Sequence, residues 1–112
     1  MEPLTRTNTK WLERLNQHFE QHLSDTNFTQ VQLAQLMNIS TRQLNRKVRQ
    51  LTGLSPREHL KQARYDKALE LLESRRYDTV AETAYAVGLK DVVHFSRQFR
   101  ERYGTRPSEF LK

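Results

Sequence analysis

Two stretches of this chain repeat each other. Arg46, Val48, Arg49, Gly53, Pro56, Glu58 and Leu60 recur 51 positions later as Arg97, Phe99, Arg100, Gly104, Pro107, Glu109 and Leu111, and six of those seven pairs are identical. Upstream the match pairs Leu44 with Phe95 and Ser40 with Asp91. After a one-residue slip in the turn it pairs Asn38 with Gly88 and Ala34 with Ala84. One structural unit has therefore been built twice. Each copy reads as a short helix, a tight turn and a basic amphipathic helix, an arrangement suited to reading DNA at two places.

A chain of 112 residues fits one compact domain or two very small lobes, which leaves no room for a catalytic cleft between large domains. The net charge of +6 and the pI near 10.0 point to a polyanionic partner. Its distribution sharpens the point: residues 1–40 carry net −1, leaving +7 on the repeated region, 41–112. With no cysteine there is neither a disulfide framework nor a thiolate metal site. No apolar run approaches the ~20 residues needed to span a bilayer, and the polar N-terminus lacks a signal peptide's hydrophobic core. The expectation is a soluble, cytoplasmic protein with no membrane partner.

No segment shows the apolar alternation of a strand, and every glycine falls at a junction between periodic segments, so the chain is read as all-α. Residues 1–8 are expected to be a loose tail. Trp11, Leu15, Phe19 and Leu23, four apart, predict an extra N-terminal helix from about Lys10 to Leu23. Thr29 with Gln32 is a capping box, flanked by a Phe28/Leu33 staple, for a helix that turns inward Val31, Leu33, Ala34 and Leu36 and ends at Asn38. Ser40 with Gln43 caps the next helix, which buries Leu44, Val48 and Leu51 and stops at Gly53. Ser55, Pro56 and Glu58 open a long helix to about Ser74 with Leu60, Ala63, Ala68, Leu71 and Leu72 inside. Thr79 with Glu82 begins a short helix ending at Gly88. Asp91 caps the helix of Phe95, Phe99 and Tyr103, and Gly104 and Pro107 close it into a last short turn. The chain then divides into a tail and amphipathic helix at 1–27, a first unit at 28–55, a linker helix at 56–76 and a second unit at 77–112.

On the helix from Thr41 to Thr52, Arg42, Asn45, Arg46 and Arg49 lie at i, i+3, i+4 and i+7, one basic ridge opposite the apolar stripe. In a major groove arginine can donate twice to guanine and asparagine can pair with adenine, which assigns Arg42, Asn45 and Arg46 to bases. Arg49, and Thr41 or Gln43 near the helix start, suit phosphates. A solvated charged face is the plain alternative for any lone basic helix. The second copy presents Val92, Val93, Ser96, Arg97 and Arg100, with His94 beside them. Arg97 is its one strong hydrogen-bonding reader, and His94 and Arg100 are assigned to phosphates. For the two valines, contact with thymine methyl groups and packing as core stand as equal readings. The linker, roughly 28 Å at ~1.5 Å per residue, approaches one DNA turn and suits reading in successive major grooves.

The residues from about Phe28 to Leu111 resemble the DNA-binding domain of AraC/XylS-type bacterial transcription regulators. Arg64 through Ala68, Leu71 and Leu72 is similar to that family's linker helix. Its second-unit signature is matched by Ala81 to Gly88, then Phe95, Ser96, Arg97, Phe99 and Tyr103-Gly104-Thr105-Arg106-Pro107. The resemblance implies about seven helices in two helix-turn-helix units joined by a long helix, and regulation of promoters through contact with double-stranded DNA and RNA polymerase. It places base contacts at Arg42, Asn45, Arg46, Val92, Val93, Ser96 and Arg97. Polar residues are commoner at the positions of Val92 and Val93, so the second unit is expected to specify fewer bases. Nothing in 112 residues could serve as the sensor or receiver domain many members carry. The chain is expected to be the C-terminal output domain of a larger signal-responsive protein, a small stand-alone activator being the alternative.

Catalysis finds no constellation: no cysteine, no nucleophile elbow, no glycine-rich phosphate loop and no HExxH, and no cofactor is implied. His18 and His22 at i, i+4 lack a third ligand and read as a surface helix, not a metal site. Arg75 and Arg76 read as charges favouring the linker's C-terminal dipole. A protein-interaction module docking a partner helix on the N-terminal apolar stripe is the better rival. RNA is disfavoured because the A-form major groove does not admit a helix.

Overall fold

The computed structural model describes residues 5–112, and among them are six α-helices, one 3-10 helix and no strand. The helices are α1 (Arg6–His22), α2 (Gln30–Leu36), α3 (Thr41–Thr52), α4 (Pro56–Glu73), α5 (Val80–Ala86) and α6 (Val92–Tyr103), with the 3-10 helix at Pro107–Leu111. The chain forms two compact units. One comprises residues through His22 together with Asn27–Gln62; the other comprises Leu23–Thr26 and Ala63–Lys112.

α1 begins earlier than the Trp11 stripe suggests. The Thr5 hydroxyl accepts from the Asn8 amide at 3.1 Å, so helix replaces the tail expected at residues 6–8, while residues 1–4 lie outside the described residues. The Leu15 and Phe19 side chains are buried in the first core with Phe28, Leu33, Ala34, Met37, Leu44 and Val48. Leu15 and Phe19 are therefore spent within the chain, with Trp11 and Leu12 partly buried against the same core.

α2 carries the expected capping box, Gln32 N–H to Thr29 hydroxyl and Thr29 N–H to Gln32 carbonyl. Its inner face differs from expectation, because Val31 is 51% and Leu36 39% exposed whereas Met37 is buried. At about 100° of rotation per residue, Leu33, Ala34 and Met37 share one stripe, and Val31 and Leu36 fall roughly 110° to either side of it. A seven-residue helix lying on one surface buries only that stripe.

The turns repeat as faithfully as the helices. After α2, Asn38 (φ 57°) donates to Gln35 O and Ile39 to Ala34 O; after α5, Gly88 (φ 81°) donates to Tyr85 O and Leu89 to Ala84 O. This paired closure satisfies the last carbonyls and requires a left-handed residue at the hinge. The two hinges have different surroundings. A Cβ added at Gly88 would collide with the Leu23 carbonyl oxygen and press on the Arg64 guanidinium, whose Nη2 donates to Asp25 O at 2.8 Å.

α4 opens on Ser55, whose hydroxyl caps the Glu58 amide. Its residues serve two cores: Leu60 packs on the first, whereas Tyr65, Ala68 and Leu72 lie in the second with Ala84, Val87, Phe95 and Phe99. Ala63 and Leu71 are only half-buried. Tyr65, not among the expected inner residues, is 1% exposed, stacked on Phe95 with centroids 5.6 Å apart and covered by the Arg102 guanidinium at 4.5 Å. Burial pushes its phenol pKa upward, with Arg102 opposing. α4 ends through Arg75, a non-glycine residue at φ 53°, whose amide reaches Leu72 O and whose Nη2 reaches Lys112 O at 2.7 Å. Arg75 thus caps the helix end through its own backbone amide, and Arg76 lies over the Tyr77 ring.

Gly88→Ala should destabilise the second unit by roughly 2 kcal/mol or more, from left-handed strain plus collision, while Asn38→Gly stays within about 1 kcal/mol; urea unfolding of both variants checks the contrast. Leu44→Ala, a truncation at a side chain with no exposure, should cost about 2–5 kcal/mol in the same measurement.

Candidate nucleic-acid interface

α3 and α6 have the same length and terminate alike. Each is 12 residues, capped by an oxygen side chain at Ser40 or Asp91 and stopped by a left-handed glycine at Gly53 or Gly104. Each buries one stripe, Leu44, Val48 and Leu51 in α3 and Phe95 and Phe99 in α6. What the stripe leaves over is the candidate interface.

On α3, Arg42, Arg46 and Arg49 are exposed and Asn45 is half-buried between them. Arg49 Nε donates to Asn45 Oδ1 at 2.8 Å. That bond leaves the Asn45 amide N–H groups and one carbonyl lone pair for another partner, and it fixes the amide's direction. The sequence spacing assigned Arg49 to a phosphate and gave no account of this second role, although the i, i+4 separation permits it. Gln43 is exposed, but its carbonyl accepts from the Ser40 amide at 2.9 Å, so only its NH2 can reach outward. Thr41 is half-buried at the first helical position.

Two further groups border this ridge. Glu58 is held ionised below the usual carboxylate range, first by the Ser55 side-chain and backbone hydrogen bonds and then by the nearby Arg49 charge. Lys47 lies 4.8 Å above the Trp11 ring, a cation–π contact that ties α1 to the flank of α3. No local pattern signals the Lys47 contact, since the partners are 36 positions apart.

On α6 the two valines separate. Val92 is half-buried and packs against the second core, whereas Val93 is 77% exposed. Of the two equal readings, packing describes Val92 and an outward apolar contact is open only to Val93. Ser96 is half-buried, and Arg97 and Arg100 are exposed. Arg97 Nη2 lies 3.4 Å from His94 Nδ1, so the two side chains are neighbours on the exposed face. His22 stacks on Phe28 with centroids 4.5 Å apart, and among the described residues no group of three or more His, Asp or Glu side chains could hold a metal. No described helix is long and apolar enough to cross a membrane.

Two short-helix, left-handed-turn, basic-helix units with outward-facing cationic ridges define a helix-turn-helix DNA-binding domain. Comparison with known proteins agrees. A family model described as a helix-turn-helix domain matches residues 33–112. The transcriptional activator RhaS of Salmonella schwarzengrund is 33% identical over 109 residues, 97% of this chain and 38% of that protein. The chain thus spans little more than a third of that relative's length. The C-terminal domain of AraT, a response regulator from Geobacillus stearothermophilus, superposes with a TM-score of 0.77 at 28% identity, covering 98% of this chain and 87% of that one. The DNA-binding domain of the transcriptional factor AdpA, solved with a target DNA, gives a TM-score of 0.76 at 30% identity over 89% and 88% of the two chains. This chain belongs to the AraC/XylS-type helix-turn-helix family, whose members are DNA-binding transcription regulators.

Proposed function

We propose that the chain binds operator DNA with α3 and α6 in successive major grooves and so regulates nearby promoters. One observation carries this reading: on both recognition helices the face opposite the buried stripe is solvent-facing and carries paired arginines, Arg46 with Arg49 and Arg97 with Arg100. Arg42, Asn45 and Arg46 read bases in the first box, with Arg49 orienting Asn45 as well as approaching a phosphate. In the second box Arg97 and Ser96 supply hydrogen bonds and Val93 an apolar surface for a thymine methyl group. Val92, packed inward, acts on that box by setting how α6 sits. Thr41, Gln43, His94 and Arg100 contact phosphates.

The chain serves as the C-terminal output domain of a longer, signal-responsive regulator working in the cytoplasm, with RNA polymerase as the second partner at the promoter. The likeness to the C-terminal domains of two response regulators, AraT and the Fusobacterium nucleatum protein yesN, favours this over a stand-alone activator.

Selection from a randomised duplex pool should enrich two boxes about 10 base pairs apart, centre to centre; a single box would remove α6 from base reading, and no enrichment would overturn the proposal. Arg46→Ala should lower affinity for the selected site by ~1–3 kcal/mol with an unchanged melting temperature. Arg49→Lys keeps the charge but loses the planar guanidinium that donates through Nε. It should leave affinity for scrambled duplex nearly unchanged while reducing discrimination at one base pair by roughly 1 kcal/mol, read from a panel of single-substitution sites.

A further inference from the structure

The second unit contains a concavity rimmed by arginines, and it shares Ser96 and Arg97 with the base-reading face. It is bordered by α5, α6 and the C-terminal 3-10 helix, and Arg97, Arg100, Arg106 and Ser108 line it together with the apolar Val80 and Val92. No carboxylate lines it, and among the described residues no ion pair engages any of its three guanidinium groups. Cationic groups gathered in one concavity repel each other and raise the local concentration of anions. Guanidinium forks beside serine hydroxyls match the oxygens of a phosphate.

The internal repeat supplies a control. Counting back 51 positions, Arg106 corresponds to Ser55 and Glu109 to Glu58. In the first unit the Ser55 hydroxyl donates to the Glu58 carboxylate at 2.8 Å, and that carboxylate lies near enough to Arg49 for the arginine to help hold it ionised. A carboxylate of the chain therefore stands in the neighbourhood of Arg49, outside ion-pair distance. In the second unit Glu109 is drawn instead to Lys112 at 3.1 Å, and Arg106, at the cap position of the 3-10 helix, makes no side-chain capping bond. Among the described residues no ion pair engages Arg100, and the chain adds a third arginine where the first unit has a serine.

We propose that this concavity is a DNA-phosphate cradle in which Arg106 and Ser108 join Arg100 on one backbone phosphate, with Arg97 at its rim. The proposal rests on the DNA-binding reading above and adds to it a division of labour. The second unit, with one strong base reader, contributes affinity that depends little on sequence, because phosphates carry none.

The test is a salt series on the selected site and on scrambled duplex, with the whole chain and the variants Arg106→Ala, Arg106→Lys and Ser108→Asp. Loss of one phosphate contact lowers the slope of log affinity against log salt by about 0.9, so the wild-type advantage over Arg106→Ala should shrink about eightfold for a tenfold rise in salt. That loss should be equal on both duplexes, Arg106→Lys should restore most of the slope, and Ser108→Asp should weaken binding to both. An unchanged slope in Arg106→Ala, or a loss confined to one base pair, overturns the cradle while leaving the DNA-binding reading intact. Failure of the wild-type chain to bind either duplex overturns both.

Discussion

The burial of a single apolar stripe on each recognition helix is the constraint from which the rest follows. Leu44 and Val48 in α3, and Phe95 and Phe99 in α6, have no solvent exposure, and so fix the rotation of each helix about its axis. A helix of radius about 5 Å with one face committed has only the opposite face to offer a groove. The arginines need no tertiary contact to point outward; the stripe aims them. The caps make this rotation rigid, because a helix whose ends are satisfied at Ser40 and Gly53, or at Asp91 and Gly104, has no frayed turn through which to slip.

Around that shared plan the two copies have diverged chemically. The first unit surrounds its ridge with internal partners: Arg49 holds Asn45, Glu58 is tied to Ser55 in the neighbourhood of Arg49, and Lys47 is pinned over Trp11. Such links restrict side-chain freedom before any ligand arrives, which suits hydrogen bonds that must meet particular base edges. The second unit exposes Val93, a surface suited to contacts with looser geometric demands. The same scaffold is used twice, and the two copies differ at a few exposed positions.

The second hinge shows how tertiary packing changes what a repeated position tolerates. Asn38 and Gly88 occupy equivalent left-handed turns with equivalent hydrogen bonds, yet only at Gly88 does the Leu23 carbonyl press against the backbone. Positive φ alone admits asparagine or glycine; the neighbouring carbonyl leaves only glycine. Arg64 enters the same site, its guanidinium partly desolvated, which lowers its pKa, and held by Asp25 O.

Much of this was legible in the residues because the signals are local. Capping boxes and left-handed stops each depend on residues within about one turn of one another, and the 51-residue register repeats those local signals, so together they gave the helix order and the outward basic ridge. The inward faces of short elements were not legible. Val31 and Leu36 are apolar but lie off the stripe that the neighbouring helices cover, Tyr65 is buried despite its hydroxyl because Phe95 and Arg102 enclose its ring, and the adjacent valines at 92 and 93 divide between core and solvent. Sequence alone determined which segments are helical, where they stop and which faces are cationic, since these follow from periodicity and hydrogen bonds along the chain. Only the tertiary structure decided which apolar residues are spent on packing and which cations remain unanswered, because burial and charge pairing join positions tens of residues apart, as Lys47 meets Trp11 and Arg75 meets Lys112.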